Sequence, residues 1–111
     1  MIFFNDSDCD NCALARIRLS ADINATALQR AGLLTVLSIQ PGDVTEEWLT
    51  AAASYPSDWI NGVSEDADEY FAIRSTPDFY LLDSRHRLLA KNFDIEGLLA
   101  ALARLRASSG I

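Results

Sequence analysis

The sequence contains no long apolar run and little positive charge. No stretch approaches the roughly 20 consecutive apolar residues of a membrane-spanning helix, so we expect no transmembrane segment in this chain. Nine lysine and arginine residues stand against 16 aspartate and glutamate residues, which gives a formal net charge of −7. A nucleic-acid-binding surface needs clustered positive charge to pair with phosphates. We therefore expect no nucleic acid among the partners.

Cysteine and histidine are also scarce, with two of the former and one of the latter. Two cysteines cannot build the disulfide scaffold of a small secreted domain. A zinc site needs about four ligands, and His86 lies in a predicted turn far along the chain from both cysteines, so we expect no metal. The remaining composition, 50% hydrophobic and 23% charged over 111 residues, is typical of one globular domain. We expect a single domain over residues 1–111. We also expect that upstream residues, such as a signal or a lipid anchor, are missing before its first strand.

Hydrophobic periodicity predicts an α/β protein with the element order β-α-β-α-β-β-α. The predicted strands cover residues 1–5, 33–39, 78–83 and 88–91. The predicted helices cover residues 9–31 with a break at Ser20, Asp22 or Asn24, residues 46–53 after a cap at Asp43 or Thr45, and residues 95–106. Between the second and third helices we predict a short extended segment over 59–63 and a brief helix over 65–73 that is capped by Ser64.

The helical spacing also predicts which side chains face the core. The first helix should use Ala13, Leu14 and Ile17. The brief helix should place Ala67, Tyr70 and Phe71 on one face. The last helix should bury Leu98, Leu99, Leu102 and Leu105.

The two cysteines form a Cys-x-x-Cys pair, Cys9 and Cys12, between the first strand and the first helix. The first N–H groups of a helix are unpaired, so a sulfur at this position lies in positive potential and ionises more readily. A thiolate is the nucleophile that attacks a disulfide, and a second thiol close by can attack the resulting mixed disulfide. The position of the pair therefore predicts dithiol redox chemistry.

The element order, this cysteine pair and a proline at the start of the third strand together resemble the thioredoxin fold. The residues that carry the resemblance are Phe3–Cys12, Arg74–Pro77 and the Phe79–Lys91 hairpin. Within that superfamily the chain looks most like thiol-disulfide oxidoreductases of the TlpA and ResA type, including thioredoxin-like domains of gut Bacteroidetes. The segments 39–43, 46–48 and 75–77 support the narrower match, and the resemblance covers about residues 1–106.

The resemblance implies a central mixed four-stranded sheet flanked by helices. It implies that Cys9 attacks, that Cys12 resolves, and that a cis Thr76–Pro77 peptide aligns a substrate chain. It implies no cofactor and two partners, a protein disulfide substrate and an upstream electron donor that reduces the pair again. It also implies a periplasmic or cell-envelope location in a bacterium.

The chain departs from thioredoxin around the cysteines. Thioredoxin carries tryptophan before the first cysteine and Gly-Pro between the two, whereas this chain has Asp8 at the first position and Asp10-Asn11 at the second. Thioredoxin also has a buried acid on the first strand, where this chain is apolar near Phe3, so the proton must be handled through water or by an acid elsewhere. Asp6, Asp8 and Asp10 oppose thiolate formation on a nearby sulfur. A less stabilised thiolate favours a reducing pair.

Several plainer interpretations stay open. The cysteine pair could be inert, in which case the chain would be a non-catalytic interaction domain of an envelope protein that holds a peptide in a groove beside Thr76 and Pro77. Pro77 alone could be an ordinary proline at the start of a strand. Trp48 and Trp59 could be core residues or could line a substrate surface.

Overall fold

The computed structural model describes residues 1–73 and 75–111, so Arg74 of the predicted loop motif lies outside the described residues. Ten helices and strands follow one another within the described residues. They are β1 (Ile2–Phe4), α1 (Asp10–Ala21), α2 (Ile23–Arg30), β2 (Leu37–Pro41), α3 (Glu46–Ala52), β3 (Ile60–Ser64), α4 (Ala67–Tyr70), β4 (Asp78–Leu82), β5 (Leu88–Phe93) and α5 (Ile95–Ser109).

The strands form one mixed sheet in the order β3-β2-β1-β4-β5. The strand pairs β1/β2 and β2/β3 are parallel, whereas β1/β4 and β4/β5 are antiparallel. The predicted fold class is therefore confirmed, but the sheet has five strands where four were predicted. The added strand is the segment predicted to be merely extended. Its residues Asn61, Gly62 and Ser64 have low strand propensity, and it becomes a strand because it pairs with β2 along its whole length.

The sheet separates two apolar clusters. Neighbouring strand residues point to opposite faces, so Phe3 of β1 packs into the larger cluster and Phe4 into the smaller one. Phe3 stacks on Phe79 with ring centroids 4.7 Å apart and meets Trp59 edge-on at 5.9 Å. The position of β1 in the middle of the sheet thus places its carboxyl end, where the cysteines follow, beside both β2 and β4.

The helix α1 buries a different face from the predicted one. Its buried residues are Cys12, Ala15 and Leu19, while Leu14 and Ile17 are 59% and 63% exposed. Both the predicted set of residues and the observed set recur at helical spacing, so the spacing alone does not tell which set is buried. The buried stripe follows from the position of Cys12 against the sheet, which places the residues three and seven positions later on the same side.

Three predictions for the later helices are also wrong. Ser64 ends β3 and caps no helix, and α4 begins only at Ala67. Tyr70 is 76% exposed because only Ala67 and Phe71 of the predicted face pack towards Phe4. In α5 the buried residues include Leu98 and Leu102, but Leu105 is exposed.

The observed helix break and helix cap lie at residues that were among those predicted from the sequence. Asp22 separates α1 from α2, and its carboxylate accepts the Ala25 N–H at 2.9 Å. Thr45 caps α3 by accepting the Trp48 N–H at 3.1 Å. In the described ranges, no helix combines the length and the apolar character needed to cross a membrane.

Candidate active site

Cys9 is the N-cap residue of α1. Its backbone is extended, and its Sγ accepts the N–H of Cys12 at 3.1 Å. Its carbonyl oxygen accepts the N–H of Ala13 at 3.0 Å and so begins the helical hydrogen-bond ladder. A cap side chain normally accepts such an N–H through oxygen. Here the sulfur takes that place, so it faces an N–H donor and the positive end of the helix dipole.

The two sulfurs of the pair have different environments. Cys9 is half-buried, Cys12 is fully buried, and both are free thiols. Burial raises the pKa of the Cys12 thiol from 9.0 to about 12, and its hydrogen bond with Cys9 acts in the same direction. The Asp6 backbone and the Thr76 side chain act in the opposite direction and lower that pKa, but by less. Cys9 is thus the accessible sulfur, and Cys12 is a protonated thiol at neutral pH.

The loop before β4 reaches the cysteine pair from far along the chain. The Thr76–Pro77 peptide bond is cis, and the Thr76 carbonyl oxygen lies 3.8 Å from Cys9 Sγ. This approach follows from the pairing of β1 with β4, in which Phe4 lies opposite Asp78. The carboxyl end of β1 and the amino end of β4 are therefore neighbours at the same end of the sheet. The segment with Cys9 begins there, and the loop with Thr76 and Pro77 ends there.

The three aspartates near Cys9 have different positions. Asp8 and Asp10 are exposed, as is Asn11. Asp6 is half-buried, and its Oδ2 accepts a hydrogen bond from Thr76 Oγ1 at 2.8 Å. Sequence reasoning treated all three as equivalent negative charges. It missed the role of Asp6 because its partner lies 70 residues away.

A polar network that the sequence did not reveal holds the segment before Cys9. The Asn5 side chain is buried and donates to Ser38 Oγ of β2 at 2.9 Å. Arg16 of α1 donates to Asn5 Oδ1 at 2.7 Å and to the Asp6 carbonyl oxygen at 3.2 Å, and its guanidinium lies 4.8 Å from the centre of the Tyr55 ring. These contacts connect β1, β2 and α1 at the point where the cysteine segment begins.

An open groove with a volume of about 580 Å³ lies beside the loop. Its lining comes from α1, from the loop before β4 and from the junction of β5 with α5. The lining residues are Asn11, Leu14, Ala15, Arg18, Ser75, Thr76, Pro77, Asp78, Asn92, Phe93, Asp94 and Ile95. The exposed side chain of Leu14 thus has a place in this groove and not in the core.

Other predicted candidates lie elsewhere. Trp59 is buried in the larger cluster against Phe3, so the core interpretation of this residue holds. His86 is exposed in the turn between β4 and β5. Over residues 1–73 and 75–111 there is no group of three or more His, Cys, Asp or Glu side chains that could hold a metal ion.

The chain is similar to several solved structures of proteins from Bacteroides. A conserved protein of unknown function from Bacteroides fragilis is 35% identical to this chain, with a TM-score of 0.82, and the match covers 91% of this chain and 77% of that one. A thioredoxin-like protein from Bacteroides caccae matches 92% of this chain at 24% identity and a TM-score of 0.83, and this chain spans 38% of its length. A thiol-disulfide oxidoreductase from Bacteroides fragilis is 26% identical, with a TM-score of 0.62, over 94% of this chain and 78% of that one.

No protein-family model and no curated protein matches the sequence. The sheet order, the cysteine pair at the start of α1 and the solved structures nevertheless agree. The chain belongs to the thioredoxin-like superfamily, alongside members from Bacteroides. The resemblance found in the sequence is confirmed at this level.

Proposed function

We propose that this protein is a thiol-disulfide oxidoreductase of the TlpA and ResA type that reduces disulfides in other proteins. The observation that carries the proposal is the asymmetry of the cysteine pair. Cys9 is accessible at the N-terminus of α1, while Cys12 is fully buried with a raised pKa. Thiol-disulfide exchange by a dithiol uses this arrangement, because one sulfur must meet the substrate and the other must wait until the mixed disulfide has formed.

The reaction has two sulfur exchanges. The Cys9 thiolate attacks one sulfur of the substrate disulfide, forms a mixed disulfide and releases the other substrate sulfur as a thiolate. Cys12 then loses its proton and attacks Cys9 Sγ, which releases the second substrate thiolate. Two electrons pass to the substrate, and the protein is left with a Cys9–Cys12 disulfide. An electron-donating partner, itself a dithiol, must reduce that disulfide before the next cycle.

The loop before β4 supplies the substrate-binding element in this proposal. The Thr76 carbonyl oxygen lies 3.8 Å from Cys9 Sγ, so an extended peptide bound along Thr76 and Pro77 would pass next to the attacking sulfur. Main-chain hydrogen bonds to such a peptide give affinity with little dependence on its sequence. This supports a protein substrate and not one particular small disulfide.

We also propose the direction of the reaction and its location. Asp6, Asp8 and Asp10 precede or follow Cys9 within three residues, and their negative charge disfavours a second negative charge on a nearby sulfur. The pair should therefore donate electrons, with no bound cofactor. One structurally similar protein is described as a thiol-disulfide oxidoreductase, and such chemistry in a bacterium favours the periplasm or cell envelope.

The proposal can be tested with Cys9→Ser and Cys12→Ser in an insulin-reduction assay. Both variants should lose turnover. Cys12→Ser should accumulate a mixed disulfide with the substrate through Cys9, and Cys9→Ser should accumulate none, so the two variants serve as controls for each other. Turnover at the wild-type rate in either variant would contradict the proposal.

The direction of electron transfer can be tested separately by equilibrating the protein in thiol-disulfide buffers and measuring the free thiols. A reduction potential near about −270 mV is expected for a reductant, whereas a value near about −120 mV would identify an oxidant.

A non-catalytic peptide-binding domain is the second candidate function. The groove of about 580 Å³ beside Thr76 and Pro77 favours it, since this groove exposes apolar side chains such as Leu14. A binding domain would keep its affinity for a peptide ligand in both cysteine variants. The absence of any disulfide between Cys9 and Cys12 in all redox buffers would favour this second function.

A further inference from the structure

Asn92 is an extra residue in β5, beside the groove. Phe79 of β4 lies opposite Phe93, and the next residue of β4, Tyr80, lies opposite Lys91, so the pairing skips Asn92. The backbone of Asn92 has a φ of 58°, in the left-handed region that asparagine tolerates better than most residues other than glycine. A bulge of this kind turns a side chain out of the regular alternation of a strand. The Asn92 side chain is therefore free to reach a segment outside the β5 ladder.

The Asn92 side chain contacts both ends of the loop before β4. Its Nδ2 donates to the Ala72 carbonyl oxygen at 3.2 Å and to Asp78 Oδ2 at 2.7 Å. An amide nitrogen carries two hydrogens, so one group can serve both acceptors. Ala72 precedes the Thr76–Pro77 peptide in the chain, and Asp78 directly follows it. One side chain thus spans the loop that contributes Thr76 and Pro77 to the lining of the groove.

Asp78 gives this contact a fixed acceptor. Only 3% of its surface is exposed, and its second carboxylate oxygen, Oδ1, accepts the Phe79 N–H at 2.9 Å. A buried carboxylate is costly unless hydrogen-bond donors satisfy it, so the Asn92 amide is held against it. A separate hydrogen bond, from Thr76 Oγ1 to Asp6 Oδ2 at 2.8 Å, fixes the loop to the segment before the cysteines. The loop is thereby held from β5 as well as from the cysteine segment.

We infer that Asn92 is a positioning residue that holds the loop before β4 in the shape that aligns a substrate chain. The inference rests on the proposed function, in which a peptide bound along Thr76 and Pro77 passes Cys9. Asn92 acts through the loop, and its contacts fix the loop before a substrate binds. Such preorganisation lowers the cost of binding. Loss of the amide should therefore weaken the binding of an extended peptide more than it slows the reaction of Cys9 with a small disulfide.

Asn92→Gly and His86→Gly form a matched pair of substitutions. Glycine adopts a left-handed backbone without steric cost, so Asn92→Gly removes the amide and keeps the bulge. His86 is the other described residue besides glycine with a positive φ, 62°, and it lies in the turn at the opposite end of the β4–β5 hairpin. Both substitutions relax a left-handed backbone, but only Asn92→Gly removes contacts with the loop.

Two disulfide substrates separate peptide alignment from sulfur reactivity. Insulin presents its disulfides within polypeptide chains, whereas dithiodipyridine is a small aromatic disulfide that releases a coloured thione when a thiol attacks it. The ratio of kcat/KM for insulin to the rate constant for dithiodipyridine should fall by about fivefold or more in Asn92→Gly, and by less than about twofold in His86→Gly. The loss should lie more in KM than in kcat, because the cysteines themselves are unchanged.

Exchange of the two side chains tests the hydrogen bond between Asn92 and Asp78 directly. Asn92→Asp places two carboxylates against each other and should lower the ratio at least as much as Asn92→Gly. In the double variant Asp78→Asn with Asn92→Asp, the new amide donates to the new carboxylate, and its oxygen still accepts the Phe79 N–H. The double variant should therefore recover most of the ratio lost in Asn92→Asp. Because the ratio compares two reactions of the same folded sample, a loss of global stability alone would not change it.

Hydrogen exchange of the backbone amides between Ser75 and Phe79 follows the loop in the absence of any substrate. Exchange should be about tenfold faster or more in Asn92→Gly than in the wild type, because local opening no longer breaks the two contacts of the amide. His86→Gly should leave exchange in this segment close to that of the wild type. Equal exchange in Asn92→Gly and the wild type would show that Asn92 does not hold the loop.

The outcomes distinguish this inference from the proposed function. If the wild type reduces insulin and the ratio is the same in Asn92→Gly, the inference is wrong and the oxidoreductase proposal stands. If the double variant recovers none of the loss, the contact with Asp78 does not position the loop, and the inference is again wrong. If the wild type reduces neither disulfide, the proposed function itself fails, and this inference fails with it. Should Asn92→Asp not fold, Asn92→Gly and its hydrogen exchange still decide the question.

Discussion

At the scale of single residues, burial distinguishes the two cysteines of the pair. Cys9 ends the segment that follows β1 and remains half-buried, whereas Cys12 is one helical turn further on and faces the sheet. Removing a thiol from water disfavours its charged form. The same turn of helix therefore provides both an accessible sulfur and a protected one.

The raised pKa of Cys12 predicts how the stability of the reduced protein depends on pH. Between 9.0, the usual value, and about 12, the unfolded chain has lost the Cys12 proton and the folded chain retains it. Rising pH in this window therefore favours unfolding, by at most about 1.4 kcal/mol per pH unit. Denaturant unfolding of the reduced protein at about pH 8 and about pH 10 should show this loss.

Cys12→Ser is the matched control for this measurement, because serine does not ionise in that range. Its stability should fall less between the two pH values than that of the wild type. Tyr55 contributes in the same direction above its usual pKa of 10.0, but it does so in both proteins. An equal loss of stability in the wild type and in Cys12→Ser would show that the pKa of Cys12 does not differ between the folded and unfolded states.

At the scale of elements, Arg16 connects α1 to the centre of the sheet. Arg16 reaches the end of β1 through Asn5 and Asp6 and covers Tyr55, which follows α3. Asn5 in turn donates to Ser38 of β2. The helix that carries both cysteines is thereby fixed to two central strands through polar contacts, in addition to the apolar packing of Ala15 and Leu19.

Substitutions of Arg16 and Arg18, both in α1, test whether the contacts of Arg16 contribute to stability. Arg16→Ala leaves the buried Asn5 side chain without a charged donor and should lower the free energy of unfolding by about 1.5–3 kcal/mol. Arg18 makes an exposed ion pair with Glu96 of α5, and such pairs contribute little, so Arg18→Ala should change stability much less. Urea unfolding of both variants measures the difference. Equal losses would show that the contacts of Arg16 are no more important than a surface ion pair.

Local signals predicted the elements themselves, with errors that have a common cause. The hairpin over β4 and β5 depends on neighbouring residues and was predicted correctly. Asp22 and Thr45 were among the alternatives predicted for the break and for the cap. The fifth strand and the buried face of α1 depend on what each segment packs against. Pairing with β2 makes the weakly strand-forming segment β3 a strand, and packing against the sheet decides which face of α1 is buried.

At the scale of the whole molecule, the central strand β1 contributes a side chain to the core and also leads into the segment that carries the cysteine pair. Phe3 of β1 is fully buried between Phe79 and Trp59, and the residues after β1 lead directly to Cys9. We proposed a single domain over residues 1–111. The two apolar clusters lie on opposite faces of one sheet, and this arrangement favours cooperative unfolding of the whole chain.

Phe3→Ala should lower the free energy of unfolding by about 3–5 kcal/mol, because it removes a ring from a site that contains two other aromatic rings. Leu89→Ala is the control, since Leu89 is 57% exposed and should change stability by no more than about 0.5 kcal/mol. Unfolding followed by far-ultraviolet circular dichroism and by tryptophan fluorescence should give coincident transitions in the wild type. Separate transitions would contradict the single domain.

The sequence by itself determined the α/β class, the order of the main elements, the position of the cysteine pair at the start of a helix and the turn that contains His86. Each of these follows from residues that are close together in the chain. Only the tertiary structure decided that Cys12 is fully buried and that Thr76 lies beside Cys9 and is hydrogen-bonded to Asp6. The reason is that Asp6 and Thr76 are 70 residues apart and meet only because β1 and β4 pair in one register, which no local pattern in the sequence encodes.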